Sequence, residues 1–281
     1  MIYINNYPLH THSTIRLGGA CEGYFPETEC ELIALIRTFE EDNIPYRIVG
    51  AMSNILPTDD KPKSNLVFCK RLCNVTYSGN KITLSCGVRL SRMIFRLAKE
   101  GKVLFPSLIG VPGLVGGMLV QNASCYDDEM ASQFLSCRVY SITEKKIYRL
   151  TRKDMIFGYR TSILKKKPYI LLDANFSVLD GDAIPRIHEV TQKRRKTMPE
   201  GPSLGSVFLR HNGMSIGYLL DKAGQKGRMF GDIAVSQRHA GVLINKGRGS
   251  ARDYQGAVFH LSKIIEEHYG FKPICEIEFL S

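Results

Sequence analysis

Tryptophan is absent from the 281 residues, and so are internal repeats and low-complexity tracts. No apolar run approaches the roughly 18 residues that a membrane-spanning helix needs. The opening stretch MIYINNYPLHTH has no basic start followed by an apolar core. The chain is therefore expected to be cytoplasmic and to have no membrane partner. The eight cysteines are scattered. Their one close pair, Cys69 and Cys73, has neither a second pair nor a histidine at zinc-ligand spacing, so reduced thiols and no metal are expected. Three signatures are missing as well. GPSLGSVFLR is no G-x-S-x-G hydrolase elbow, because Phe208 stands two residues after Ser206. There is no G-x-G-x-x-G dinucleotide fingerprint, and no G-K-[ST] that would close a phosphate loop.

What is present is a basic excess. The 38 Lys and Arg against 27 Asp and Glu give a formal charge of +11, with clusters at Lys165–Lys167 and Lys193–Lys196. Such a field draws anions of any kind. Nucleic acid is not expected, because the basic residues are dispersed and no aromatic-rich RNA-binding signature accompanies them. Small phosphorylated or carboxylated ligands need only a few of these charges.

A hydrophobic content of 44% over this length supports more than one core within a multidomain globule. Leu32, Ile36 and Phe39 recur at helical spacing and lead into strand-like Tyr46–Gly50. KITLSCG reads as a strand running into the helix VRLSRMIFRLAKEG, with Gly101 as its stop. Leu135–Ile142 and Lys146–Leu150 alternate around a short turn as a hairpin. Ser250 and Asp253 form a capping signal for a helix with the stripe Tyr254, Ala257, Val258, Leu261 and Ile265. Pattern alone supports a mixed α and β protein.

The loop PSLIGVPGLVGGMLVQNASCYDDEM carries Gly110, Gly113, Gly116 and Gly117 around Pro112. A backbone so bare of side chains lets amide groups approach an anion closely. It also reads as a plain irregular connection.

Taken in order, HSTIRLGGACEGYF, GAMSNIL, LSCGVRL, IGVPGLVGGMLVQNASCY, FGYRTS, GSVF, DKAGQKG, AVSQRHAGVLIN and CEIEFL resemble the UDP-N-acetylenolpyruvoylglucosamine reductase (MurB) family over nearly the whole chain, in its compact subclass. The resemblance implies an α+β fold in which an FAD-binding two-domain unit of the vanillyl-alcohol-oxidase/MurB type carries a smaller α+β substrate domain. The implied division is residues 1–66 and 67–197 as FAD-binding subdomains, 198–272 as the substrate-binding domain, and 273–281 as a last strand returning to the flavin. It implies FAD as cofactor, NADPH as co-substrate, a UDP-sugar substrate bearing an enolpyruvyl group, and a monomer. Two other readings stay open: a flavoprotein of this fold with another substrate, and a non-catalytic anion-binding relative.

The resemblance also implies roles. Ser206 matches the serine that protonates the carbon beside the one receiving hydride. Arg160 matches the arginine facing the substrate carboxylate, and Glu276 the glutamate assisting enol stabilisation or protonation. If CEIEFL is a half-solvated edge strand, Glu276 and Glu278 share one face and Ile277 and Phe279 the other. Gly50, Ser53, Asn54, Gly110, Gly113, Gly116, Gly117 and Asn122 match cofactor-binding positions. Met52, Ser124 and Asp127 stand where glycines are usual and Leu114 where threonine is, so the Met52 side chain is expected to crowd the pyrophosphate. Tyr159, Arg194, Lys196, Arg210, Ser236 and His239 are the expected substrate contacts. Arg194 or Lys196 substitutes for a lysine that Thr197 and Met198 displace, and Asn245 closes the motif that holds Ser236 and His239.

Overall fold

The computed structural model describes residues 1–280; Ser281, the end of the expected last strand, lies outside them. Two compact units are built from interleaved stretches of chain. One comprises Met1–Ile4, Gly23–Ala51 and Asn65–Gln192, the other Asn5–Glu22, Met52–Ser64 and Lys193–Ser281.

In the first unit Thr28 caps helix α1 (Glu29–Glu41), its hydroxyl accepting from the Glu31 amide at 3.2 Å. The helix buries Leu32, Leu35, Ile36 and Phe39, and each such side chain is worth about 1.5–3 kcal/mol when fully removed from water. The chain continues into strand Tyr46–Val49, which pairs in parallel with Asn65–Phe68. A second sheet is antiparallel, in the order Lys146–Thr151, Phe134–Ser141, Tyr169–Ser177, Lys81–Ser85, Val75–Ser78. Its hairpin closes at Ser141 opposite Lys146, as the alternation implies. Helix α2 (Leu90–Lys99) covers the sheet through Leu90, Met93, Ile94 and Leu97. Beyond it Gly101, at φ +68°, takes the left-handed turn that ends the helix. Short α3 (Val115–Val120) follows the glycine loop, and α4 (Ile184–Thr197) carries the basic run.

The second unit holds the antiparallel sheet Ser203–Ser206, Val242–Asn245, Ile233–Val235, Met229–Phe230. Helices α5 (Ile216–Lys222) and α6 (Ala251–Tyr269) pack on it. The capping box of α6 is complete: Ser250 Oγ accepts from the Asp253 amide, and Asp253 Oδ2 from the Ser250 amide, both at 3.0 Å. Asp59 adds its carboxylate to the amides of Ala251 (2.7 Å) and Arg252 (3.1 Å). A negative charge at this helix end satisfies orphan donors and opposes the helix dipole.

Candidate active site

The glycine loop of the first unit is bound into the sheet beneath it. The Gly116 amide donates to the Cys86 carbonyl at 2.8 Å, and that of Val115 to Val88 at 2.9 Å. A Cβ at Gly116 would lie 3.2 Å from the Cys86 backbone, so this position tolerates no larger residue without movement. Gly117 is different, since a Cβ there would meet nothing within 4 Å. Opposite stands Gly50, whose imagined Cβ would reach the Leu114 side chain at 3.9 Å and the Gly117 amide at 4.0 Å. Gly50 thus faces the Leu114–Gly117 turn with no side chain of its own between them, while the space beside Gly117 is open. Backbone bare of side chains in this way is compatible with an anionic pyrophosphate approached by amide groups. Gly110 holds φ +74° before the loop, and Gly113 lies against the Met118 side chain, 2.7 Å from an imagined Cβ.

Met52 is buried, only 2% exposed. Its backbone sits at φ +47°, a conformation that costs an ordinary residue on the order of 1 kcal/mol and a glycine almost nothing. Met52 thus carries backbone strain that a glycine at this position would not.

Asn122 is 2% exposed and its amide is consumed internally. Nδ2 donates to Glu129 Oε2 and to the Gly158 carbonyl, both at 3.1 Å, and Oδ1 accepts from the Ala131 amide at 3.0 Å. It joins the 124–129 hairpin to the next turn. In that turn Gly158 and Thr161 pair, with Tyr159 and Arg160 as the two central residues. Arg160 adopts φ +55°, and its guanidinium lies over the Tyr159 ring at 5.7 Å. Nη1 donates to Ser124 Oγ at 3.1 Å and to the Ser124 carbonyl at 3.3 Å. Ser124 is thus a brace for Arg160. Asp127 turns outward onto the Arg186 guanidinium.

The second unit carries the other pair. Gly205, at φ +78°, creates a register shift in strand Ser203–Ser206, and Ser206 pairs with Val242. From Val207 the chain runs antiparallel to the C-terminal segment. The Glu276 amide donates to the Val207 carbonyl at 2.8 Å, and Phe208 bridges Cys275. Ser206 and Glu276 are therefore fixed on adjacent strands. The Cys275 thiol reinforces the join, reaching the carbonyls of Val207 (3.3 Å) and Ile277 (3.4 Å); burial raises its pKa and keeps it a thiol. The segment is not a simple alternating edge. Ile277 and Leu280 are buried and Phe279 is exposed, because the chain leaves Val207 to pair in parallel, as Glu278–Phe279, with Ile55–Leu56. Asn54 meets it there: Nδ2 donates to the Glu276 carbonyl at 2.9 Å, and the Glu278 amide donates to the Asn54 carbonyl at 3.0 Å. Ser53 lies just before this contact.

Ser236 and His239 share a tight loop. The Ser236 oxygen, 1% exposed, accepts the amides of Arg238 and His239, each at 3.1 Å, so its lone pairs shape the turn. His239 Nδ1 accepts from the Gly241 amide at 3.1 Å, which puts the neutral ring's proton on Nε2. Burial is the main cause of its lowered pKa. Asn245 is buried and bonds the Ile15 carbonyl at 3.1 Å. At the end of α4 Arg194 is half-buried and Lys196 exposed, and Arg210 is exposed beyond Ser206. Arg238, unassigned by the sequence, ties this helix end down through the Arg195 carbonyl and Glu200, both at 3.0 Å. A lone arginine in a loop gives no sequence signal of such a role.

Comparison with known proteins identifies the family. Residues 24–149 match the family profile described as an FAD binding domain, and residues 196–280 match that of the UDP-N-acetylenolpyruvoylglucosamine reductase C-terminal domain. A UDP-N-acetylenolpyruvoylglucosamine reductase of Streptococcus pneumoniae (strain CGSP14) is 34% identical, over 97% of this chain and 92% of its own. One from Caldicellulosiruptor saccharolyticus is 32% identical, over 99% and 92%. The crystal structure of the Thermus caldophilus reductase superposes with a TM-score of 0.83 at 25% identity, over 100% of this chain and 98% of that one.

Proposed function

This chain belongs to the UDP-N-acetylenolpyruvoylglucosamine reductase family, and we propose that it reduces the enolpyruvyl group of UDP-N-acetylglucosamine enolpyruvate to give UDP-N-acetylmuramate, a peptidoglycan precursor. FAD is its cofactor and NADPH its electron source. The observation that carries the reading is the hydrogen-bonded pairing of the chain following Ser206 with the segment holding Glu276, which joins the backbone of the proposed proton donor to that of the proposed carboxylate within one unit.

When bound, FAD would supply the hydride that the reduction needs. Gly50, Ser53, Gly116 and Gly117 would hold its pyrophosphate, with open space beside Gly117. Gly110, Gly113 and Asn122 keep the loop in shape. Arg160 offers the planar fork of its guanidinium to the substrate carboxylate, where negative charge gathers during reduction. Tyr159 lies under that guanidinium. Ser206 gives its proton to the carbon beside the one reduced. A hydroxyl is a weak acid, so its efficacy depends on being in place when the carbanionic or enol form appears, and Glu276 assists in stabilising or protonating that form. Arg194, Lys196 and Arg210 supply positive charge for the diphosphate, and His239 donates through Nε2. Ser236 holds the His239 loop. The protein is read as a cytoplasmic monomer.

The test is optical. Purified protein should be yellow, bleach with NADPH, and regain its absorption on adding the enolpyruvyl UDP-sugar. A colourless preparation that takes up no added FAD, or bleached protein that the substrate leaves bleached, refutes the assignment.

A further inference from the structure

Asn54 stands among the residues matched to cofactor binding, yet its side-chain amide donates a hydrogen bond within the protein, to the Glu276 carbonyl. We infer that Asn54 is a positioning residue for Glu276, joining the segment after Gly50 to the C-terminal strand so that the backbone carrying the carboxylate is held fixed against the chain that follows Ser206. The inference rests on the reading of Glu276 given above.

Glu276 is held on both sides of its Cα. Its amide donates to Val207 at 2.8 Å, and its carbonyl accepts from Asn54 Nδ2 at 2.9 Å. Strand pairing alone supplies the first hold, because Val207 follows Ser206 in the chain. It does not supply the second. Between the bridge of Phe208 with Cys275 and the parallel pairing of Glu278 with Ile55, the chain changes partners, and Glu276 lies in the change. Here a side chain replaces the missing ladder bond. Asn54 also takes the Glu278 amide on its own carbonyl at 3.0 Å, and the Leu280 amide follows onto Leu56 at 2.9 Å. One residue therefore closes the carbonyl of Glu276 and opens the pairing that continues beyond it. A side chain whose backbone is fixed at both ends has fewer directions to sample, and displacing a reacting group by about 1 Å can cost on the order of 100-fold in rate. Two substitutions separate the donor from the shape. Asn54→Ala removes both, whereas Asn54→Asp keeps the volume but turns an N–H donor into an oxygen opposed to a carbonyl oxygen.

The experiment follows the two half-reactions of the FAD-loaded protein by stopped flow in Asn54→Ala, Asn54→Asp, Glu276→Ala and the double variant Asn54→Ala, Glu276→Ala. Hydrogen exchange of the C-terminal peptide is measured alongside. In both Asn54 variants, reoxidation by the enolpyruvyl UDP-sugar should slow about 10- to 100-fold. The flavin retained through gel filtration and the rate of bleaching by NADPH should stay within about twofold of wild type, a change smaller than the loss of one ordinary hydrogen bond. The double variant should be no slower than Glu276→Ala, because an effect transmitted through Glu276 vanishes with it. Amides of residues 276–280 should exchange faster. Loss of flavin from either Asn54 variant, or a loss in the double variant equal to the sum of the singles, overturns the inference and returns Asn54 to the cofactor. A Glu276→Ala protein that reoxidises at the wild-type rate overturns the reading of Glu276 itself, in a variant whose Asn54 is intact, and the inference falls with it. If the alanine variant does not fold, the near-isosteric aspartate variant carries the same comparison.

Discussion

Arg160 and Ser206 sit at irregular backbone in different units, and the irregularity is borne differently. In the first unit the functional residue bears it: Arg160 is a central residue of a two-residue turn at φ +55°, and its guanidinium is steadied by Ser124. In the second unit a neighbour bears it. Gly205 takes φ +78°, and Ser206 continues in a strand paired with Val242. A left-handed arginine costs about 1 kcal/mol that a left-handed glycine does not. The turn puts a long cation at the tip of a loop but leaves its aim to another side chain. The strand fixes a short side chain through backbone bonds alone, which no single side-chain substitution removes. One site should therefore be adjustable from its surroundings, and the other mainly at the residue itself.

The largest expected effect sharpens that contrast. Ser206→Ala should leave bleaching by NADPH intact while reoxidation by substrate falls about 100- to 10,000-fold, the usual contribution of a positioned acid. Ser206→Cys should recover part of it, since a thiol also donates a proton. Equal slowing of both half-reactions in the alanine variant would make Ser206 a structural residue. Next in size is the arginine. Arg160→Lys keeps the charge but not the fork, and should lose about 10- to 100-fold in kcat/KM. Ser124→Gly, which removes the hydroxyl half of the brace, keeps the carbonyl half and leaves Arg160 in place, should raise KM about 2- to 10-fold with kcat nearly held. A glycine variant as damaged as Arg160→Lys would mean that the turn alone cannot aim the guanidinium. An unchanged KM would mean that it needs no brace.

The smallest effect concerns acid. His239 and His260, both in the second unit, have lowered pKa values, each mainly through burial. The unfolded chain therefore binds their protons more readily than the folded one. Their contribution to stability is fully present above the ordinary value of 6.5 and is lost as pH falls below it toward the folded values. Replacing both with glutamine should reduce the acid-induced drop in Tm by at most about 2–4 °C, seen by comparing calorimetric scans at about pH 8 and about pH 5.5.

Local signals in the sequence carried the elements they govern. Helix α1 follows from its 3.6-residue stripe, the α6 capping box from Ser250 and Asp253, and the 134–151 hairpin from alternation, because each depends on residues within a few positions of one another. One such signal went unread: His211 pairs with Met214 around Asn212 and Gly213, both at positive φ, and Asn-Gly is the strongest short cue for a hairpin. The bareness of the glycine loop was legible, and so was its suitability for an anion. Which side chains the fold itself consumes was not. Asn122 and Ser236 match ligand-binding positions, but their polar atoms are occupied by chain that lies several residues away or in another element. For Met52 the sequence could show neither its burial nor its positive φ. The same limit hid the partner change at Glu276, where the alternation of Ile277 and Phe279 described a strand that the chain abandons halfway.

The interleaving of the two units has a consequence for synthesis on the ribosome. Residues 5–22 and 52–64 emerge first, carrying Ile15, Leu17 and Leu56, yet these side chains belong to a core completed by residues 204–277. The stretches that form the first unit end at Gln192, so that unit can close while the two segments that interrupt it still wait for a partner more than a hundred residues downstream. Those segments must be kept from other company until translation is nearly over, and the entropy of closing such long loops makes the second unit the slower to form. Cutting the gene after codon 192 would therefore not yield two halves: the C-terminal fragment would lack the strand Ile55–Leu56 that receives its last residues and the Asp59 carboxylate that caps α6.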